Sequence, residues 1–179
     1  MQIFLDTADC SVIQKHLGTG LIDGVTTNPS LIMKSGRKPD DVYQELKNMG
    51  LLDISMEVVD PSAAGMVAEG FKLAEYYGDC CTIKVPCTYD GLMACNELSK
   101  AGIRVNVTLI FNSAQAVLAA KAGAAYVSPF VGRLVDNSIH GTECVRFIAE
   151  LFKKQDVKTQ VLAASVRDVF SVTECFYHG

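Results

Sequence analysis

A parallel α/β fold, a (β/α)8 barrel in type, is what this sequence predicts, and three observations predict it. Apolar runs of strand length alternate with polar loops and helical stretches that place apolar residues three and four apart. Glycines at 20, 50, 78, 102 and 123 each precede a strand candidate, at spacings of 30, 28, 24 and 21 residues, the length of a strand, a helix and two short loops. Finally, the odd hydrophilic residue of each strand sits at or near its C-terminal end, as catalytic groups do in closed barrels.

The strand candidates run in order: "QIFLD" (2–6), "DGVTTN" (23–28), "DISMEVV" (53–59), "TIKVP" (82–86), "IRVNVTLI" (103–110), "AYVSPF" (125–130) and "QVLAAS" (160–165). Their terminal polar residues are Asp6, Asn28, Glu57, Lys84, Asn106 with Thr108, Ser128, and Ser165. Near-continuous apolar strands point to a parallel sheet covered by helices, either doubly wound or closed. Polar ends on every strand favour the closed barrel, because a doubly wound sheet would gather them at one crevice. Between the second and third strands, Val42, Tyr43, Leu46 and Met49 form a helix stripe stopped by Gly50. Between the third and fourth, Ala63, Val67, Phe71 and Ala74 form another, stopped by Gly78. Seven strands leave two unpaired edges, a liability for any barrel. The expectation is one domain over 1–179, short at its C-terminus.

Composition narrows the function classes. Sixteen basic against 20 acidic residues give a net charge of −4, with no basic run longer than a pair, which argues against a nucleic-acid partner. The longest apolar region, 105–127, is broken by Asn106, Asn112, Gln115 and Lys121, short of the ~18 apolar residues a membrane span needs. "MQIFLDTADC" lacks a basic start and a cleavage site, so a cytoplasmic protein is expected. The seven cysteines, at 10, 80, 81, 87, 95, 144 and 175, form no Cys-x-x-Cys and read as reduced core residues. His16, His140 and His178 are scattered, which argues against a zinc site.

Lys84 stands out. It closes an apolar strand between Ile83 and Val85 and is followed at once by Pro86, a charge withdrawn from water at the mouth of something. An amine becomes nucleophilic at neutral pH only through desolvation or a nearby cation, and the apolar flanks supply the first. The bland alternative is a lysine that snorkels to the surface from a strand end.

Five stretches, "GVTTNPSLI" (24–32), "IKVPCT" (83–88), "NVTLIFNSAQA" (106–116), "SPFVGR" (128–133) and "AASVR" (163–167), occur in an order and spacing that resembles the transaldolase family, in its short-chain subgroup that includes fructose-6-phosphate aldolases. The resemblance runs over the whole chain and implies a class I aldolase type of barrel. Family members continue with an eighth strand, its helix and a C-terminal helix, which residues 1–179 do not contain.

The resemblance implies a role for each polar strand end. Lys84 would form a Schiff base with the ketose carbonyl, and Glu57, with Thr108 helping to hold a water, would move protons as that bond forms and breaks. Asp6 would be the base for carbon–carbon cleavage. Asn28, Asn106 and Ser128 would hydrogen-bond the three-carbon unit, and Arg133, Ser165 and Arg167 would bind phosphate, two guanidinium groups and a hydroxyl suiting a dianion. Each has a plainer alternative. Glu57 could merely neutralise Lys84, Asp6 or Thr7 could cap the next helix, and Asn28 before Pro29 could satisfy a turn. Arg167 could be a solvated residue at a helix start, although there it opposes the macrodipole unless an anion sits beside it.

Glu57 and Phe130 separate the two activities of the family. Its aldolases carry glutamine and tyrosine there, whereas glutamate and phenylalanine are the transaldolase pattern. The resemblance thus implies transfer of a dihydroxyacetone unit between sugar phosphates in the pentose phosphate pathway, with no metal or organic cofactor, in a homo-oligomer of five or ten subunits. The alternatives are a fructose-6-phosphate aldolase and, from another class, a non-catalytic sugar-phosphate-binding barrel fragment.

Overall fold

A computed structural model describes all residues from 1 to 179. They divide into two compact units, one of residues 2–84 and one of residues 85–179 with Met1.

In the first unit, β1 (Phe4–Asp6), β2 (Gly24–Thr26), β3 (Ile54–Glu57) and β4 (Cys81–Pro86, whose last two residues lie in the second unit) follow in chain order. They pair in parallel, β1 with β2, β2 with β3 and β3 with β4. The intervening helices are α1 (Cys10–Leu17), α2 (Pro29–Ser35), α3 (Pro39–Asn48) and α4 (Ala63–Tyr77). Val25, Ile54, Met56 and Ile83 are fully buried, each stabilising the fold by roughly 1.5–3 kcal/mol relative to an exposed side chain. Gly24 is required by close packing: a Cβ there would collide with the Phe4 ring and lie 2.7 Å from the Asp53 carbonyl.

The second unit holds α5 (Tyr89–Lys100), β5 (Val105–Ile110), α6 (Ser113–Lys121), β6 (Tyr126–Pro129), α7 (Val131–Asp136), α8 (Gly141–Lys154), β7 (Gln160–Val161) and α9 (Val169–His178). Its strands are again parallel and sequential, β5 with β6 and β6 with β7. Seven parallel strands separated by helices are the repeat of a (β/α) barrel lacking its eighth strand within these residues. No helix is long and apolar enough to cross a membrane.

All seven strands fall where the sequence places them; five are two or three residues shorter than expected, and β4 begins one residue earlier. The exception is the last, expected over 160–165 and regular only at Gln160–Val161. Its hydrogen bonds nevertheless continue, Leu162 N to Val127 O and Ala164 N to Pro129 O, until Ser165 turns to φ 56° and ends the ladder. The glycines at 20, 50, 78, 102 and 123 all adopt positive φ, the conformation that stops a helix before a strand. The α3 stripe is as expected, with Val42, Tyr43 and Leu46 buried. The α4 stripe is not: Met66, Val67, Gly70 and Tyr77 face inward while Phe71 is 42% exposed. The face is rotated by about one residue, through Met66 and Gly70 rather than Phe71. Of the seven cysteines, all free thiols, four are buried and Cys80, Cys87 and Cys144 only partly so.

Candidate active site

The first unit carries a charged pair at its strand ends. Glu57 and Lys84 are register partners on β3 and β4, and Lys84 Nζ lies 3.0 Å from Glu57 Oε2. Nζ also donates to the Thr27 carbonyl at 3.0 Å. The Lys84 side chain is only 7% exposed and that of Glu57 19%, so the lysine does not snorkel to the surface. A buried amine held by two acceptors keeps one tetrahedral direction unassigned, the geometry a nucleophile requires.

On the neighbouring strands, Asp6 is in register with Thr26 and its Oδ1 accepts the Thr26 hydroxyl at 2.8 Å. The capping alternative for Asp6 is excluded, since Asp9 caps α1 by accepting from Ser11 N and Val12 N. Asn28 does cap: its Oδ1 accepts from Leu31 N at 2.9 Å at the start of α2, with Pro29 at the first helical position. The oxygen is therefore committed to the fold, and the amide NH2 is the part left to donate to a ligand.

Behind Lys84, the fully buried Thr27 is fixed on two sides. Its Oγ1 lies 2.9 Å from the Ser55 carbonyl and 3.2 Å from Tyr43 Oη. Burial pushes the Tyr43 phenol above its ordinary range, so the phenol keeps its proton.

In the second unit, Ser128 donates to Asn106 Oδ1 at 2.8 Å, both side chains buried. Thr108 Oγ1 is buried without a hydrogen-bond partner, an exception to the near-universal pairing of buried polar atoms and a place for a water or a ligand hydroxyl. The residue after it, Leu109, takes φ 61°, and the β5–β6 register shifts between Val107 and Ile110. Such bulges re-aim side chains.

Phe130 stacks edge-on with Phe111 at 5.8 Å, and the Arg133 guanidinium lies 5.7 Å over the Phe130 ring. The segment holding Ser165 and Arg167 runs hard against the start of α7: Gly132 N donates to Ser165 O at 3.0 Å, and a Cβ on Gly132 would collide with that oxygen and meet Arg167 Nε at 2.8 Å. Arg167 has an anion beside it, but one belonging to the protein. Its Nη1 donates to Asp136 Oδ1 at 2.5 Å, a hydrogen bond that holds the Asp136 carboxyl below its ordinary range. The helix-dipole case for a bound anion at Arg167 therefore loses its force, and Asp168, not Arg167, caps α9. A phosphate at Arg167 would displace or join Asp136.

Thr26, Thr27 and Tyr43 in the first unit, and Gly132 and Asp136 in the second, are found beside the candidate residues only through the structure. Thr26 and Thr27 lie inside "GVTTNPSLI" and were within reach of the sequence; Tyr43 reads there as one more core residue of a helix stripe.

The family described as Transaldolase/Fructose-6-phosphate aldolase has a sequence model that matches residues 3–178. Among curated relatives, the chain is similar to a "Probable transaldolase" of Paracoccus denitrificans, 48% identical over 174 residues, 97% of this chain and 80% of that protein. One of Nitrosopumilus maritimus is 49% identical over 175 residues, 97% of this chain and 78% of the relative. One of an Anaeromyxobacter strain is 49% identical over 174 residues, 97% and 80% respectively.

Proposed function

The chain belongs to the transaldolase/fructose-6-phosphate aldolase family, and from that membership we propose that it transfers a dihydroxyacetone unit between sugar phosphates through a Schiff base on Lys84. The observation that carries the reading is the burial of Lys84 with its amine 3.0 Å from the Glu57 carboxylate.

In this mechanism Nζ adds to C2 of a ketose phosphate such as fructose 6-phosphate or sedoheptulose 7-phosphate. Glu57 takes a proton from the nitrogen of the adduct and passes it to the C2 oxygen, which leaves as water with a second proton drawn from solvent, and Thr108, whose hydroxyl has no partner in the protein, hydrogen-bonds that water. Asp6 takes the proton of the C4 hydroxyl, the C3–C4 bond breaks, and its electron pair passes into the lysine-bound enamine. An acceptor aldehyde, erythrose 4-phosphate or glyceraldehyde 3-phosphate, then forms the new bond and recovers the proton from Asp6, and water releases the product. Asn28, Asn106 and Ser128 hydrogen-bond the carried unit, and Arg133, Ser165 and Arg167 hold the phosphate. On this reading the reaction is one of the pentose phosphate pathway.

The family description also covers fructose-6-phosphate aldolase. Glutamate at 57 and phenylalanine at 130 favour transfer, because Phe130 offers no hydroxyl to protonate the enamine and release free dihydroxyacetone. With fructose 6-phosphate alone the protein should release about one equivalent of glyceraldehyde 3-phosphate per site, and erythrose 4-phosphate should start turnover. Many turnovers without acceptor would make it the aldolase.

A further inference from the structure

Lys84 has two acceptors, and only one belongs to the proposed chemistry. The second, the Thr27 carbonyl, accepts from Nζ at 3.0 Å and has no proton to exchange, so its contribution is directional. Two acceptors fix two of the three N–H directions of a tetrahedral amine. When the third proton of the ammonium group leaves to solvent, the other two still directed at Glu57 and the Thr27 carbonyl, the lone pair points along the remaining direction. The aim of the nucleophile therefore depends on where the Thr27 carbonyl sits.

That carbonyl is held more firmly than a strand end requires. Thr27 N donates to Ser55 O at 3.1 Å, and Thr27 Oγ1 reaches the same oxygen at 2.9 Å. The Thr27 hydroxyl has one proton, and a carbonyl can only accept, so that proton goes to Ser55 O. The 3.2 Å contact with Tyr43 Oη is then made by the Tyr43 proton directed at a lone pair of Oγ1. Tyr43 is 4% exposed and Thr27 fully buried, which leaves neither hydroxyl a solvent alternative. The Tyr43 ring is itself wedged edge-on against Tyr77, 5.8 Å between centroids.

We propose that Thr27, braced by Tyr43 of α3, is a positioning residue that aims the Lys84 lone pair through its main-chain carbonyl. The proposal rests on Lys84 being the nucleophile and adds a reason for a buried threonine and tyrosine that touch no substrate. A hydroxyl that never meets the amine then controls the rate of carbinolamine formation without contributing to substrate affinity. Reaction geometry is sensitive enough for this, since a displacement of about 1 Å can cost up to ~10²-fold in rate.

The test is single-turnover trapping with fructose 6-phosphate and borohydride, reading the rate of adduct formation on the peptide containing Lys84, for the unmodified protein, Thr27→Val, Thr27→Ser and Tyr43→Phe. Thr27→Val keeps shape and removes the hydroxyl; Thr27→Ser keeps the hydroxyl. We expect the valine variant to trap roughly tenfold to a hundredfold more slowly at saturating substrate, with the half-saturating concentration unchanged. Tyr43→Phe should slow trapping by a smaller factor, the serine variant should stay near the original rate, and the Thr27→Val/Tyr43→Phe double variant should be no slower than Thr27→Val alone. Should Thr27→Val fail to fold, Tyr43→Phe with an unchanged melting temperature decides the matter. Trapping at the original rate in the folded variants, or a loss appearing only as a raised half-saturating concentration, overturns the positioning role while leaving Lys84 intact. Absence of an adduct in the unmodified protein overturns the Lys84 reading itself, and this inference with it.

Discussion

Lys84 and Glu57 face each other as register partners on adjacent parallel strands, their charged atoms 3.0 Å apart and the lysine nearly closed off from water. A pair so placed costs more to break than to replace, since removing one partner leaves the other charged and poorly solvated. Lys84→Met should therefore lower stability by about 2–3 kcal/mol, below the upper range for a wholly buried pair because Glu57 keeps 19% exposure. A second change, Glu57→Gln, should recover part of the loss. Melting curves of the two variants check this; a double variant less stable than Lys84→Met alone contradicts it.

Arg133 and Arg167 are assigned to the substrate phosphate. Arg133→Ala or Arg167→Ala should raise KM for phosphorylated donors far more than for unphosphorylated dihydroxyacetone donors, by about tenfold to a hundredfold if each loses a charge-assisted hydrogen bond of ~1.5–3 kcal/mol. Equal losses on both donor types would remove the assignment.

Gly132 is a packing requirement at the same place. Gly132→Ala drives a methyl group into the Ser165 carbonyl, which must move, at a cost of about 1–3 kcal/mol. The melting temperature should fall and KM for phosphorylated substrates should rise together, as Ser165 and Arg167 shift. A variant with unchanged KM would separate this segment from substrate binding.

Phe130→Tyr tests the choice between transfer and cleavage. A hydroxyl near the enamine should raise the acceptor-independent release of glyceraldehyde 3-phosphate about tenfold, which needs only ~1.4 kcal/mol of barrier lowering. Steady-state release without erythrose 4-phosphate reads it directly, and an unaltered rate would deny Phe130 this role.

Candidate residues can be read from the sequence where a polar residue closes an apolar strand, because such a residue is costly to bury unless something pairs with it. Lys84 and Glu57 stand out that way, Asp6 and Thr108 only by their position near strand ends, and helix-stopping glycines located the strands between them. What escaped depends on rotation and on partners far apart in the chain. Phe71 looks inward by spacing, yet the buried face of α4 runs through Met66, Val67, Gly70 and Tyr77 and leaves it exposed. Asn28 is at once a helix cap and a site candidate, two roles that share one position and use different atoms of its amide. Arg167 finds Asp136 thirty-one residues away, and the phenol of Tyr43 reaches Thr27 from a helix face whose other members are aliphatic; hydrophobic periodicity records neither contact.

The measurement closest to the centre of this account is borohydride reduction of the protein in the presence of fructose 6-phosphate, followed by peptide mapping. The account predicts a reduced three-carbon unit on Lys84 alone, lost in Lys84→Met and absent without substrate. No adduct, or an adduct on another lysine while Lys84 stays unmodified, would contradict it.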